Sequence, residues 1–251
     1  MSGHSKWSSI KHKKAVTDAR KGQQFTKVAR EITIAAREGG GNPEGNYRLR
    51  LAIEKARSVN MPHDNIQRAV KRGTGELGGA QLEQLRFEGY GPHGVAIMVE
   101  TVTDNRNRTA SEIRNIFSKA GGNLGASGSV AWMFSRQGQI VINADGKDPD
   151  ELGLEAIELG ASDARVDGST VEVITDPTRL ETVREALSKK GYRIESSEVS
   201  LNSTQTVRLD ENQAVSVLKL LDTLEEQDDV QSVHSNIDVP DEIMERISDR
   251  V

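Results

Sequence analysis

The residues with the clearest potential chemistry are cations gathered near the start of the chain. Six of them fall within the first 21 residues, at Lys6, Lys11, Lys13, Lys14, Arg20 and Lys21. Ammonium and guanidinium groups bind phosphate oxygens by charge and hydrogen bonding, whatever the base sequence. Their density predicts an arm that binds a nucleic-acid backbone, and the alternative is a solvated basic tail without a partner.

This cluster is part of a charge asymmetry that runs along the whole chain of 251 residues. Residues 1–75 hold 16 Lys and Arg against 6 Asp and Glu, a balance of +10. Residues 76–251 hold the remaining 17 Lys and Arg against 32 Asp and Glu, a balance of −15. The two balances sum to the net charge of −5. A basic end of this kind is typical of a protein that meets a polyanion. We expect nucleic acid, because lysine and arginine displace the counterions condensed on its phosphates.

Five further residues extend the predicted interface. Trp7 either stacks on a base or fixes the arm onto neighbouring helices. Lys27 and Arg30 project from a predicted helix away from its apolar stripe, where they either follow a phosphate backbone or are solvated. Arg106 and Arg108 belong to the segment DNRNR, predicted as a turn between a strand and a helix. Contact with RNA or DNA is the alternative for this turn, since loops often carry function.

The residue types exclude several kinds of site. The chain has no cysteine, which excludes disulfides, thiol nucleophiles and cysteine-type zinc sites. We find no Gly-x-Ser-x-Gly elbow and no dinucleotide-binding fingerprint. The sequence therefore predicts a non-enzymatic protein with no cofactor, metal or small-molecule substrate. The histidines support this prediction because they are scattered without metal-ligand spacing, at His4, His12, His63, His93 and His234.

The sequence also lacks the features of a membrane or secreted protein. It contains no run of about 18 apolar residues, the length needed to span a bilayer. Its first residues, MSGHSKW, include no apolar signal core. We therefore expect a cytoplasmic protein without a membrane partner.

The basic third of the chain is predicted to form a helical bundle. Apolar residues recur at helical spacing in 25–36, 46–60 and 62–72, with cations on the opposite sides. Three consecutive glycines, 39–41, end the first helix. Residues 73–80, GTGELGGA, are predicted to be a linker.

The remainder alternates predicted strands and helices in an informative order. Residues 138–201 give the order βαββαβ, and the flanking pieces 94–135 and 206–237 together give the same order. We predict an α+β fold in which a basic N-terminal helical bundle is followed by two ferredoxin-like βαββαβ domains, one inserted in the other. The predicted domains are 1–75, 81–135 plus 205–240, the inserted 136–204, and an acidic C-terminal helix or tail, 241–251.

Two features at the end of the first α/β half have both structural and functional interpretations. The glycine-rich loop 121–129 offers backbone N–H groups and little bulk, so it is either a plain connection or a contact loop for phosphates. It is not a P-loop, because it follows a helix and lacks the Gly-Lys-Ser/Thr ending. Trp132 and Phe134 share one face of a strand predicted at 130–135, and we expect them to be packed.

Several long motifs of this chain resemble the YebC/PmpR family of probable transcriptional regulators. The resemblance covers nearly the whole chain, and its motifs are GHSKWSSIKHKKA (3–15), FTK (25–27), NMPHDNI (60–66), GYGPHGVAIMVE (89–100), TDNRNRT (103–109) and GGNLGASGSV (121–130). One departure is Gln23-Gln24, where the family pattern has a basic residue before Phe25.

The resemblance implies three domains, one helical and two α/β, in agreement with the predicted elements. It also implies cytoplasmic DNA binding with effects on transcription. For some relatives, among them mitochondrial translational activators, it implies action on the ribosome. Duplex DNA and ribosomal RNA therefore both stand as expected partners, with the ribosome included in the second alternative.

Overall fold

The structure, a computed structural model, describes residues 18–79 and 81–247. A helical bundle precedes two four-stranded sheets, so the predicted α+β class is confirmed. The helices of the described residues are α1 (Asp18–Gly39), α2 (Tyr47–Ser58), α3 (His63–Gly73), α4 (Arg106–Lys119), α5 (Pro149–Glu158), α6 (Leu180–Lys189), α7 (Glu211–Glu225) and α8 (Asp241–Ile247). The strands are β1 (Glu83–Tyr90), β2 (Ala96–Thr103), β3 (Asn123–Leu124), β4 (Phe134–Asn143), β5 (Asp163–Asp167), β6 (Thr170–Thr175), β7 (Arg193–Ser203), β8 (Val207–Arg208), β9 (Val230–Ser235) and β10 (Ile237–Asp238).

Helices α1, α2 and α3 form the bundle because each turns one apolar stripe inward. The shared core includes Ile32, Leu49 and Ala69, all buried. Asn46 caps α2 by accepting from the N–H of Leu49, and its amide donates to the carbonyl of Ala35 at 2.8 Å, which joins the start of α2 to the end of α1. Asn46 therefore fixes the start of α2 against the last turns of α1.

The first sheet has the strand order β3-β1-β2-β9, and α4 and α7 cover one of its faces. Its core joins Ile97 and Val99 of β2 to Phe117 of α4 and Leu218 of α7. The second sheet has the order β5-β6-β4-β7, with every neighbouring pair antiparallel, and α5 and α6 pack on one side. The second sheet therefore has the ferredoxin-like arrangement. We call the two sheets with their helices, residues 81–247, the α/β body.

The first sheet differs from the prediction in its choice of strands. It contains β1, which the sequence analysis did not assign, because polar Glu88 and flexible Gly89 interrupt the alternation of Leu85 and Phe87. The predicted order also places a strand at the start of the piece 206–237, where the structure has only the two-residue β8, which pairs with β10 outside this sheet.

The predicted strand at 130–135 is also wrong. Residues Ala131–Met133 form a 3-10 turn, and a single strand, β4, then runs through Phe134–Asn143 in the second sheet. The physical reason is that the backbone N–H groups of Val130 and Ala131 donate to the Glu88 carboxylate, so they are not available to a strand ladder.

Candidate nucleic-acid interface

The predicted interface residues have different placements. Lys6, Trp7, Lys11, Lys13 and Lys14 lie outside the described residues. The arm therefore stays a prediction from the sequence. Arg20 and Lys21 belong to the first turn of α1.

Lys27 and Arg30 point toward the α/β body. The Lys27 ammonium donates to the carbonyl of Glu225, and Arg30 Nη1 donates to the carbonyl of Asp228 at 2.5 Å. Gln23 donates to the carbonyl of Glu226 at 3.3 Å. The last carbonyls of a helix have no partner within the helix and carry its negative dipole end, which favours cations at this position. These two cations therefore attach the bundle to the C-terminal end of α7.

Asp229 is the centre of this attachment. It is 4% exposed, and its carboxylate lies 2.8 Å from Arg30 Nη1 and 2.9 Å from Arg108 Nη2. The hydroxyl groups of Thr103 and Thr109 donate to it at 3.0 and 2.6 Å. Burial alone would raise the pKa of Asp229, but the hydrogen bonds from Thr109, Arg108 and Thr103 and the charge of Arg30 lower it below its ordinary value.

Arg106 and Arg108 lie in the first turn of α4 instead of in a turn before the helix. Asn105 caps α4 by accepting from the N–H of Arg108 at 3.1 Å. Arg108 also bonds to Asp104 at 2.9 Å, whereas Arg106 is exposed and lies 3.7 Å from Glu83. Arg108 is thus part of the Asp229 cluster, and Arg106 remains at the surface.

The bundle also contacts the second sheet unit through ion pairs. Arg50 of α2 lies 3.0 Å from Glu181 of α6, and Arg184 of α6 lies 3.4 Å from Glu54 of α2. Burial together with Glu181 raises the pKa of Tyr47 to about 12, so this phenol stays neutral in its contact with α6. The bundle is therefore held by both α/β units.

A second group of cations in the bundle has a different environment. Residues 22–79 contain ten Lys and Arg, and six of them bond to acceptors: Lys27, Arg30, Arg37, Arg48, Arg50 and Lys55. The other four have exposed side chains that make no hydrogen bond or ion pair with any residue that the structure describes: Arg57, Arg68, Lys71 and Arg72. Arg68, Lys71 and Arg72 share one side of α3, since residues three and four apart are neighbours on a helix. We call these three residues the α3 cations.

The glycine-rich loop is organised by a buried carboxylate. Glu88 is 5% exposed, and it accepts the N–H groups of Gly128, Val130 and Ala131 at 2.8 to 2.9 Å. Its own carbonyl accepts the N–H of Gly125 at 2.7 Å. Burial alone would raise the pKa of Glu88, but the three backbone donors and Arg86 lower it below its ordinary value. These amides are therefore occupied by Glu88 and do not face a phosphate.

The two aromatic residues beside this loop differ from each other. Phe134 is 9% exposed and packs against Met98 on the face of the first sheet opposite its helices, as predicted. Trp132 was predicted to be packed, and this is wrong, because its side chain is 61% exposed. The 3-10 turn that replaces the predicted strand takes the indole out of the face that Phe134 occupies. Its ring nitrogen donates to the carbonyl of Ser129 at 3.2 Å.

The described residues, 18–79 and 81–247, contain no group of three or more acidic or histidine residues that could hold a metal ion. None of the helices in these ranges is long and apolar enough to cross a lipid bilayer.

Comparison with known proteins identifies the family. The model of the TACO1/YebC N-terminal domain matches residues 5–76, and the model of the TACO1/YebC second and third domain matches residues 82–237. The chain belongs to the TACO1/YebC family. The resemblance stated from the sequence motifs is confirmed.

Relatives from the TACO1/YebC family match over their full length. One from Dictyoglomus turgidum is 54% identical over 99% of this chain and 100% of the relative, and one from Syntrophus aciditrophicus is 53% identical over the same shares. Both are named "probable transcriptional regulatory protein". A crystal structure of a conserved hypothetical protein from Aquifex aeolicus is 49% identical, with a TM-score of 0.82 over 89% of this chain and 93% of that one.

Sequence reasoning about this TACO1/YebC chain missed two organising residues, Asp229 and Glu88. Neither belongs to a motif with a known spacing, and acidic residues are usually solvated. A signal was nevertheless present for the contact surface of α1. Ile34 lies on the side of Lys27 and Arg30, away from the apolar stripe, and it is fully buried without belonging to the bundle core. A large apolar residue on an otherwise basic helix face indicates that this face is covered.

The Glu88 contact predicts a local loss of order. Replacing Glu88 by alanine should accelerate amide hydrogen exchange at Gly128, Val130 and Ala131, and lower the free energy of unfolding by about 2 kcal/mol, since buried hydrogen bonds to a charged group are lost. Acid should have the same local effect in the unmodified protein. Because the folded-state pKa of Glu88 is lowered, its stabilisation is present above the unfolded pKa and is lost as the pH falls through the folded value. Exchange at these amides that is unchanged by Glu88→Ala would contradict this assignment.

Proposed function

We propose that this chain is a nucleic-acid-binding regulatory protein whose arm and α3 cations neutralise the phosphates of the bound polymer. The observation that carries the proposal is the separation of the bundle cations into two groups. Those on α1 are bonded to protein acceptors, whereas Arg68, Lys71 and Arg72 are exposed on one side of α3 without a partner among the described residues. The names of the relatives support a DNA-binding transcriptional regulator as the first candidate.

The mechanism is electrostatic capture. Each cation that reaches a phosphate releases a condensed counterion, so affinity falls as salt is added. If about six phosphates are neutralised, the logarithm of the binding constant for duplex DNA should fall with the logarithm of salt concentration at a slope of about −5. In this proposal Lys27, Arg30 and Arg108 hold the bundle on the α/β body, and Arg106 remains a candidate contact.

The arm provides the first test. The triple variant Lys11→Glu, Lys13→Glu, Lys14→Glu should bind duplex DNA and ribosomal RNA much more weakly and reduce the magnitude of the salt slope by about 3, since three phosphate contacts are lost. Its melting temperature should be unchanged, because the three lysines are predicted from the sequence to be solvated in the arm and to pack in no core. Unchanged affinity for both polymers would refute the role of the arm.

A translation factor that binds ribosomal RNA is the second candidate. In DNA-binding proteins the N-terminal end of a recognition helix normally reads the bases. Asp64 is exposed in the first turn of α3, and its negative charge disfavours entry of that end of α3 into a DNA groove. RNA is bound largely through its shape and backbone, so RNA binding does not require α3 to read bases in a groove. Ribosome co-sedimentation in the presence of excess duplex DNA at physiological salt distinguishes the two. Ribosome binding that survives supports translation, and loss of ribosome binding to the DNA supports transcription.

The proposed regulator acts in the cytoplasm without catalysis, cofactor or small-molecule substrate. We assign nucleic-acid binding to residues 1–75. The two α/β units, with the boundaries predicted from the sequence, position the bundle or contact protein partners. Their acidic surface supports this division, because residues 76–251 carry a balance of −15 and repel phosphates.

A further inference from the structure

We propose that Trp132 is a stacking site for one unpaired nucleobase, an inference that rests on the proposed function and adds a base-binding position to it. The site lies in the segment that connects the two sheets, at some distance in sequence from the basic bundle. Nothing in the charge pattern of the chain predicts it. The ligand class is therefore single-stranded nucleic acid, or a duplex region from which a base has been extruded.

The indole of Trp132 is exposed and yet fixed in position. A tryptophan that is 61% exposed forgoes much of the favourable burial that so large an apolar ring gains elsewhere. The ring is nevertheless positioned, because its nitrogen donates to the carbonyl of Ser129 at 3.2 Å. The preceding backbone is held by Glu88, and the carbonyl of Met133 accepts from the N–H of Thr204 at 2.8 Å. A positioned ring loses little conformational entropy when a flat ligand stacks on it.

The surroundings of Trp132 favour a base over a phosphate. The backbone amides next to Trp132 are already occupied by a carboxylate, since Val130 and Ala131 donate to Glu88. An anion at these two amides would therefore meet the Glu88 carboxylate instead of free N–H donors. A neutral aromatic base meets a flat π-face instead, and every base can use it.

A polymer has access to Trp132. The adjacent loop tip, Ala126, Ser127 and Gly128, is exposed and carries no large side chain, so a nucleic-acid strand can approach. The side chain of Arg136, four residues after Trp132, is exposed and makes no ion pair or hydrogen bond with another described residue. It offers a cation for a phosphate that neighbours the stacked base.

Fluorescence gives a direct test, because the chain has only two tryptophans. In the full-length variant Trp7→Phe, tryptophan emission reports on Trp132 alone. Titration with a single-stranded RNA oligonucleotide should quench this emission, whereas the duplex of the same sequence and heparin should bind without quenching. Anisotropy of a labelled RNA measures binding separately from quenching. Binding of the single strand without quenching, or equal quenching by heparin, would overturn the proposal.

The affinity of variants gives a second, independent readout. Trp132→Ala should weaken binding of the single strand about tenfold, and Trp132→Phe should restore most of it. Leu154→Ala, which removes a 70% exposed apolar side chain of α5, is the matched control and should have no effect. A blue shift of Trp132 emission without quenching would indicate burial against protein and would also overturn the proposal. If the unmodified protein binds every polymer but Trp132→Ala changes nothing, only the stacking site is refuted. If no polymer binds, the proposed function fails with it.

Discussion

Replacing Asp229 by alanine is expected to lower the free energy of unfolding by about 2–3 kcal/mol and to loosen the bundle from the α/β body. The carboxylate joins Arg30 of α1 to Arg108 of α4 and accepts from two threonines. Removing one partner of a buried ion pair typically costs about 3–5 kcal/mol, because the remaining charges lose their compensation. We expect a smaller loss than this, since Arg30 and Arg108 are 19% and 43% exposed and regain water.

Urea denaturation measures this loss, and the neighbouring residue supplies the control. Asp228 contributes only its backbone carbonyl to Arg30, so Asp228→Ala removes the same charge and should leave stability nearly unchanged. The pH dependence gives a further check. The folded-state pKa of Asp229 is lowered, so its contribution is present above the unfolded pKa of about 4 and is lost as the pH falls through the folded value. Equal stability of Asp229→Ala and Asp228→Ala would contradict the assigned role.

Removing the α3 cations should weaken binding of nucleic acid on the order of fiftyfold at moderate salt. The variant Arg68→Ala, Lys71→Ala, Arg72→Ala deletes three exposed charges that have no partner among the described residues. Each phosphate contact accounts for roughly one unit of salt slope, so the slope should become shallower by about 3. Titration of labelled duplex DNA and ribosomal RNA at several salt concentrations measures both quantities.

A second triple variant separates position from net charge. Arg48→Ala, Lys55→Ala, Arg86→Ala removes the same total charge from cations that are paired with Glu38, Glu31 and Glu100. If contact at α3 matters, this control should retain most of the affinity and nearly all of the salt slope. Equal losses in the two triple variants would mean that only the overall charge matters, and the assignment of α3 would then be wrong.

The sequence predicts the elements well where hydrophobic periodicity is strong. The bundle helices follow from stripes such as Ile32 and Leu49, and the second sheet follows from the order of its strands and helices. Prediction from the sequence fails where a polar side chain determines the path of the backbone. Glu88 accepts the amides of Val130 and Ala131 that a strand at 130–135 would need, and a carboxylate 42 and 43 residues away in the chain leaves no local signal.

The candidate site is only partly predictable for a similar reason. Cation density indicates nucleic-acid binding, but it does not distinguish Lys27 and Arg30, which contact the α/β body, from Arg68 and Lys71, which do not. That distinction depends on tertiary packing. Ile34 carried the missing signal, because a buried isoleucine beside the α1 cations marks a covered face.

The most direct test of the nucleic-acid interface is the salt dependence of binding by the unmodified full-length protein. Labelled duplex DNA and ribosomal RNA would each be titrated across a range of ionic strengths. We expect binding at low salt and, for the DNA, a logarithmic slope of about −5. Failure to bind either polymer in dilute buffer, or binding that salt leaves unchanged, would contradict the assignment of the basic residues to phosphate contact.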